Sequence, residues 1–325
     1  MTGADWQQTL RAAWEELGNH VPQARQYRTR RLPAIAALNV HAGIRAVDNA
    51  PCLVIDAYAP ADALFELGGM RLAHTRGDEG ALLVLSLEDV ERLDLFATVC
   101  ADMLQAAAGA PLSEGLEVFL ARLAAWRRFL RESRAGLSRN ETVGLIGELT
   151  VLRRLIEHNA QLLSSWAAPE DGLHDFTLSG HALEIKATLG PATVLSVSSL
   201  DQLDTGGLRR LDLLHVRLVE APDGECLEQM IGEINDRIPS EATRRAFENA
   251  LLRRGLIPDD MNARSAPRVI IRNLSGFTVD AGFPRLVRAS VPSAVTEANY
   301  RLELSAIERH AIEAEAVLAE FARGI

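Results

Sequence analysis

Two carboxylates and one lysine in the middle of the chain have the types and spacing that metal-assisted chemistry needs. A Ser179-Gly180 pair between two short strand patterns predicts a two-residue turn. In that register Asp175 lies directly opposite Glu184, and Lys186 shares their face of the hairpin. Facing carboxylates repel each other, so the pattern predicts a divalent cation with oxygen ligands between them, and Mg²⁺ is the natural candidate. A solvated hairpin at a sheet edge is the alternative.

Lys186 is the only lysine in a chain that contains 33 arginines. This composition indicates a GC-rich genome, in which arginine replaces lysine wherever only a positive charge is needed. Arginine cannot replace a compact ammonium that is able to lose its proton, so a lysine retained here fits a chemical role. An accidental survivor is the alternative.

A helix predicted over residues 141–157 contains an unexpected carboxylate. Glu148 falls within the apolar stripe of this helix. A carboxylate on a buried face needs a partner, and the sequence offers no local one. Either Glu148 takes part in the site or it forms a buried salt bridge with an arginine. Gly144 and Gly147 beside it would allow another backbone to approach closely.

The order of predicted elements divides the chain near residue 110. Residues 1–110 predict an N-terminal α+β domain that contains strands and serves recognition, partner binding or dimerisation, and residues 111–325 predict a second domain. Within the second domain, residues 141–219 predict the core order α-β-β-β-α-β. The predicted strands are Leu32–Val40, Cys52–Tyr58, Ala81–Leu85, His174–Leu178, Ala182–Thr188, Ala192–Ser198, Leu211–Val219, Arg268–Val279 and Arg301–Leu304. The predicted helices cover residues 4–17, 87–108, 113–133, 141–157, 225–237, 241–254 and 306–323.

Motifs and composition exclude several classes of protein. The single lysine does not lie in a Walker A loop, and the chain has no GxGxxG after a strand, no GxSxG and no HExxH. Cys52, Cys100 and Cys226 are too far apart for a disulfide framework or a cysteine zinc site. They fit a reducing cytoplasm.

No run of eighteen apolar residues predicts a membrane span, and the polar, acidic N-terminus predicts no signal peptide, so we expect a cytoplasmic protein. The net charge of −10 means that nucleic-acid binding would need a local basic face.

On this order of elements, the chain resembles the PD-(D/E)xK nuclease superfamily in five residues: Glu148, Asp175, Glu184, Ile185 and Lys186. The stretches Gly144-Leu-Ile-Gly-Glu148 and His174-Asp-Phe through Glu-Ile-Lys-Ala-Thr188 are similar to a group of PD-(D/E)xK proteins associated with bacterial restriction and phage-defence loci. His174 stands where the motif has proline, a position that is often replaced. The resemblance implies an α/β, restriction-endonuclease-like fold with a mixed sheet flanked by helices.

The resemblance also implies Mg²⁺-dependent hydrolysis of DNA phosphodiester bonds, with Mn²⁺ as a substitute. Asp175 and Glu184 would hold the metal together with the carbonyl of Ile185. Lys186 would orient or help deprotonate the attacking water, or stabilise charge on the phosphate, and Glu148 would bind a second metal ion or orient a water. Partner proteins of a restriction or defence system and a homodimer are further implications. A non-catalytic subunit that binds DNA or a partner protein is the alternative that the acidic charge favours, and a structural role is the third.

Overall fold

Helices and strands occur in groups along the chain in the computed structural model, which describes residues 2–19, 26–32, 35–77, 80–131, 137–170, 172–257 and 266–324. The helices are α1 (Gly3–Gly18), α2 (Leu93–Ala108), α3 (Gly115–Arg131), α4 (Arg139–His158), α5 (Leu227–Arg237), α6 (Glu241–Arg253), α7 (Leu304–Ile307) and α8 (Ala314–Ala322). The strands are β1 (Tyr27–Arg31), β2 (Val40–Arg45), β3 (Pro51–Ile55), β4 (Phe65–Leu67), β5 (Met70–Arg76), β6 (Ala81–Leu87), β7 (Phe176–Leu178), β8 (His181–Leu189), β9 (Val194–Val197), β10 (Arg210–Glu225), β11 (Val269–Thr278), β12 (Tyr300–Glu303) and β13 (Ala311–Ile312).

The first of two compact units, Met1–Arg134, is built on a six-stranded antiparallel sheet with the strand order β1-β2-β3-β6-β5-β4. Its helices bury aromatic side chains: the ring of Trp14 stacks on that of Phe96 at 5.5 Å. The indole N–H of Trp14 donates to the carbonyl of Cys52 at 3.1 Å, which ties α1 to the sheet. The expected α+β character of the N-terminal part is confirmed.

Two local predictions in this unit are wrong. The described residues of Leu32–Val40 form no strand before Val40, because Ile35 and Leu38 enter the core from a loop between β1 and β2. The helix expected from Leu87 begins at Leu93, since β6 continues to Leu87. In both places an apolar run marks burial but does not identify the backbone conformation.

The division between the units lies at residues 134/135, whereas the change from strands to helices suggested residue 110. Helix α3 belongs with the first unit because it joins α2 through a buried polar cluster. Arg122 forms an ion pair with Asp102 at 2.6 Å, and the indole N–H of Trp126 donates to the same carboxylate at 2.7 Å.

The second unit, Ala135–Ile325, contains a five-stranded mixed sheet with the order β13-β11-β10-β8-β7. Strands β8 and β10 run parallel, and the other neighbouring pairs are antiparallel. One apolar core joins the sheet to α4, α5, α6 and α8. A smaller core on other strand positions joins the sheet to β9, β12 and α7. The α/β class with a mixed sheet flanked by helices is therefore confirmed.

The connection between β8 and β10 differs in detail from the expected order. Strand β9 pairs with β12 in a separate two-stranded sheet, and turns rather than a helix fill the chain between β9 and β10. Leu195 and Val197 of β9 pack in one core with Leu213 of β10. Their apolar side chains thus cover part of the sheet instead of extending it.

Helix α4 packs closely on β8 at a glycine. Ser138 and Glu141 form the predicted capping box at the start of the helix. A Cβ added at Gly147 would lie 2.6 Å from the Cβ of Ala187 on β8, whereas one at Gly144 would meet nothing within 4 Å. Close approach thus requires glycine at position 147 and not at position 144.

We expect Gly147→Ala to destabilise the protein by about 1–3 kcal/mol, because the added methyl group forces α4 away from β8. Gly144→Ala is the matched control on the same helix and should stabilise the protein by about 0.5–1 kcal/mol, since alanine favours the helix and has room. Urea unfolding followed by circular dichroism measures both. Equal effects of the two variants would contradict the packing described here.

Candidate active site

The hairpin of β7 and β8 brings Asp175 beside Glu184. Its register pairs Phe176 with Leu183, and the two turn residues have φ of 49° and 81°, as a tight two-residue hairpin turn requires. Asp175, which directly precedes β7, accepts the backbone N–H of Ile185 on its Oδ2 at 2.7 Å. The predicted register is therefore confirmed.

Lys186 is held beside Glu184 by two hydrogen bonds. Its Nζ donates to Oε1 of Glu184 at 2.8 Å and to Oε1 of Gln202 at 3.2 Å. The backbone N–H of Ser198 also donates to that oxygen of Gln202, at 2.9 Å. The turns before β10 thus fix the position of the ammonium group.

Glu148 on α4 is buried, as the helical pattern predicts, with 4% of its surface exposed. The indole N–H of Trp166 donates to its Oε2 at 2.9 Å, and Arg254 donates to its Oε1. The salt bridge to an arginine is thus present. Glu148 remains electrostatically linked to the other acids: besides burial, the charge of Asp175 raises the pKa of Glu148, and the charge of Glu148 contributes to the raised pKa of Glu184.

Burial and mutual repulsion make the carboxylates of the site difficult to ionise. Burial, followed by the charge of Asp175, raises the pKa of Glu184 to about 8 and the pKa of Glu148 to about 7. Burial also raises the pKa of Asp175, although the N–H of Ile185 and the charge of Lys186 oppose that rise. A cation close to these groups would favour their charged forms.

The carboxylate oxygens of Asp175 and Glu184 fit a hard divalent cation that takes only a few of its ligands from the protein. Within the described residues, no three side chains of His, Cys, Asp or Glu are grouped as ligands of one metal ion. Asp175 and Glu184 each keep a second carboxylate oxygen without a hydrogen-bond partner among those residues. Mg²⁺ commonly uses one or two carboxylates together with water and phosphate oxygens, so this pair is sufficient for it.

Sequence reasoning did not identify Trp166 and Arg254 as members of this site. A buried tryptophan needs an acceptor for its N–H, which is a general signal, but nothing in the sequence names Glu148 as that acceptor. The structure also brings Gln202, from the turns before β10, to Lys186. His181 lies apart from the carboxylates, with its Nε2 2.7 Å from Oδ2 of Asp212.

Acidic side chains on a helix and on paired strands, followed by a lysine, in a mixed sheet flanked by helices, define the PD-(D/E)XK nuclease-like class. The family model described as "Putative PD-(D/E)XK family member, (DUF4420)" matches residues 10–305, and the chain belongs to that family. The match includes most of both units. No curated protein and no solved structure gives a significant match. Among the described residues, no helix combines the length and the apolar character needed to cross a membrane.

The raised pKa values predict how the metal-free protein responds to pH. Both glutamates have a reference pKa of 4.5, so between that value and about 7 to 8 the folded protein keeps protons that the unfolded chain has released. The free energy of unfolding should therefore fall as the pH rises from about 5 to about 8. Below the reference pKa both glutamates are protonated in the folded and the unfolded state, so this pH dependence vanishes there.

Glu184→Gln should flatten this pH dependence by about 1 kcal/mol or more, because the amide does not titrate. Urea unfolding in EDTA at the two ends of the range provides the measurement. Glu297→Gln, at an exposed position, is the control and should behave as the wild type. Parallel pH profiles for wild type and Glu184→Gln would contradict the prediction.

Proposed function

We propose that the protein is a Mg²⁺-dependent DNA endonuclease whose catalytic residues are Glu148, Asp175, Glu184 and Lys186. The observation that carries this proposal is the hydrogen bond between Lys186 and Glu184 beside Asp175, in a chain of the PD-(D/E)XK family. An ammonium group held beside paired carboxylates suits the hydrolysis of a phosphodiester.

A divalent cation bound at this site would lower the pKa of water and stabilise negative charge on the phosphate. Asp175, Glu184 and the carbonyl of Ile185 would hold it, and Mn²⁺ would substitute for Mg²⁺. Lys186 orients the attacking water, helps to deprotonate it or stabilises charge on the phosphate. The water oxygen forms a bond to phosphorus while the bond from phosphorus to the leaving sugar oxygen breaks. Glu148 orients a water or contributes to a second cation site.

The biological setting is proposed from the two motif stretches that resemble proteins of restriction and phage-defence loci. We propose a cytoplasmic subunit of such a system, with DNA as substrate and with partner proteins or a second copy of the chain beside it. The N-terminal unit would serve recognition, partner binding or dimerisation.

A non-catalytic subunit that binds DNA or a partner protein is the second candidate function. The ion pair between Glu148 and Arg254 favours it, because it neutralises one carboxylate without a metal ion. The net charge of −10 points in the same direction.

Lys186→Ala should reduce the cleavage of supercoiled and linear DNA in Mg²⁺ by at least about 100-fold, because the ammonium group acts on the reacting atoms. Plasmid cleavage followed on agarose gels measures this, and thermal unfolding verifies the fold. Arg237→Ala, which also removes one positive charge from the second unit, should cut as the wild type does. Undiminished cutting by Lys186→Ala would reject the assignment of the site.

Mn²⁺ or Ca²⁺ should raise the melting temperature of the wild type and leave that of Asp175→Asn unchanged, since the amide is a much weaker ligand for a hard cation. Differential scanning fluorimetry over a metal titration tests this. Asp236→Asn, on the exposed side of α5, should respond as the wild type does. A wild type that shows no response to either metal would favour the non-catalytic function.

A further inference from the structure

Arg254 reaches the carboxylates from the C-terminal end of α6, and the backbone holds it there. The N–H of Gly255 donates to the carbonyl of Leu252 at 3.0 Å, and the N–H of Leu256 donates to that of Leu251 at 3.0 Å. With φ of 95° at Gly255, these two bonds form a Schellman motif, and Arg254 is the C-cap residue of α6. The backbone geometry of this cap therefore sets the direction in which the side chain of Arg254 projects from the helix.

The guanidinium of Arg254 has more donors than Glu148 uses. One Nη donates to Glu148, but Nε is buried and has no hydrogen-bond partner among the described residues. A buried N–H without an acceptor is destabilising. Arginine presents its donors as a planar fork that matches two oxygens of a phosphate. The unused donor is therefore available to an anionic oxygen that enters the site.

The charges of the site also change when a cation binds. In the structure, the positive charges of Lys186 and Arg254 face the carboxylates of Glu148, Asp175 and Glu184. A divalent cation at Asp175 and Glu184 would give the cluster a positive surplus. The charge of Glu148 would then depend less on its ion pair with Arg254. The guanidinium could instead stabilise the negative charge of an incoming phosphodiester.

We propose that Arg254 is a further catalytic residue, which neutralises Glu148 in the metal-free protein and donates to the scissile phosphate once a divalent cation and DNA are bound. This inference rests on the proposed nuclease function. It differs from a purely structural ion pair, which would act the same way in the presence and absence of DNA.

Arg254→Gln and Arg254→Lys are compared with the wild type and with Arg244→Gln, which removes a partly exposed arginine of the same helix that pairs with Glu241. Three quantities are measured: the Kd of Mn²⁺ by calorimetry, the Kd of a labelled DNA duplex in Ca²⁺ by fluorescence anisotropy, and the single-turnover cleavage rate in Mg²⁺. Arg254→Gln should bind Mn²⁺ at least as tightly as the wild type, bind DNA at least about 10-fold more weakly and cut at least about 100-fold more slowly.

Arg254→Lys keeps a positive charge for Glu148 and therefore protects the fold, but it lacks the fork. We expect it to bind Mn²⁺ as the wild type does and to cut at least about 10-fold more slowly. Arg244→Gln should match the wild type in all three measurements. Opposite effects on metal and DNA binding are the signature that a structural role would not produce.

If the wild type cuts DNA and Arg254→Gln keeps both its DNA affinity and its cleavage rate, the proposed role of Arg254 is overturned. The proposed nuclease function is then unaffected. A parallel loss of stability, metal binding and DNA binding in both Arg254 variants would also overturn the role of Arg254, in favour of a structural ion pair. If the wild type itself neither binds Mn²⁺ nor cuts DNA, the proposed function fails and the role of Arg254 fails with it.

Discussion

The compensation of buried carboxylates by two positive side chains is the constraint on which the second unit depends. Glu148 and Glu184 are almost fully buried, and a buried charge without a partner is strongly destabilising. Lys186 lies two residues from Glu184 on β8, whereas Arg254 reaches Glu148 from the end of α6, 106 positions along the chain. The middle of α4, the C-terminal end of α6 and the turns that carry Gln202 must therefore meet at one point of the sheet.

Strand β8 combines a packed core with a polar site because its side chains alternate. Leu183 and Ile185 pack in the core that contains α4, and Ala182 packs in the smaller core with β9 and β12. By alternation Glu184 and Lys186 share the face of Ala182. This face is covered by apolar residues near the start of β8 and carries hydrogen-bonding residues farther along. Thr188 continues the polar row, and its hydroxyl lies 2.7 Å from Nε2 of His215 on β10. Strand β8, which is buried beside its parallel neighbour β10, thus also carries the charged groups of the site.

The features that could be predicted from the sequence are those that local periodicity determines. The capping box of α4, the register of the β7–β8 hairpin and the burial of Glu148 each follow from spacings of a few residues. The pairing of β9 with β12 and the ion pair of Glu148 with Arg254 do not, because they depend on contacts between residues about a hundred positions apart. No spacing in the sequence distinguishes Arg254 from the other 32 arginines. The membership of α3 in the first unit depends in the same way on a tertiary contact, between Arg122 and Asp102.

The two positive groups of the site are of different chemical kinds, and the proposed mechanism gives each of them a different task. A lysine ammonium is a compact charge that can give up a proton, whereas a guanidinium stays charged and offers a rigid fork of donors. Lys186 contacts Glu184 and Gln202 at single oxygens, which suits a group that acts on one water or one leaving atom. Arg254 keeps an unused donor beside Glu148, which suits electrostatic stabilisation of an anion with several oxygens. In the proposed mechanism, lysine stands where a compact charge acts on one atom and arginine where a rigid fork of donors is needed. Under that proposal, an exchange of the two residue types would leave the net charge of the site unchanged and still remove the proposed chemistry.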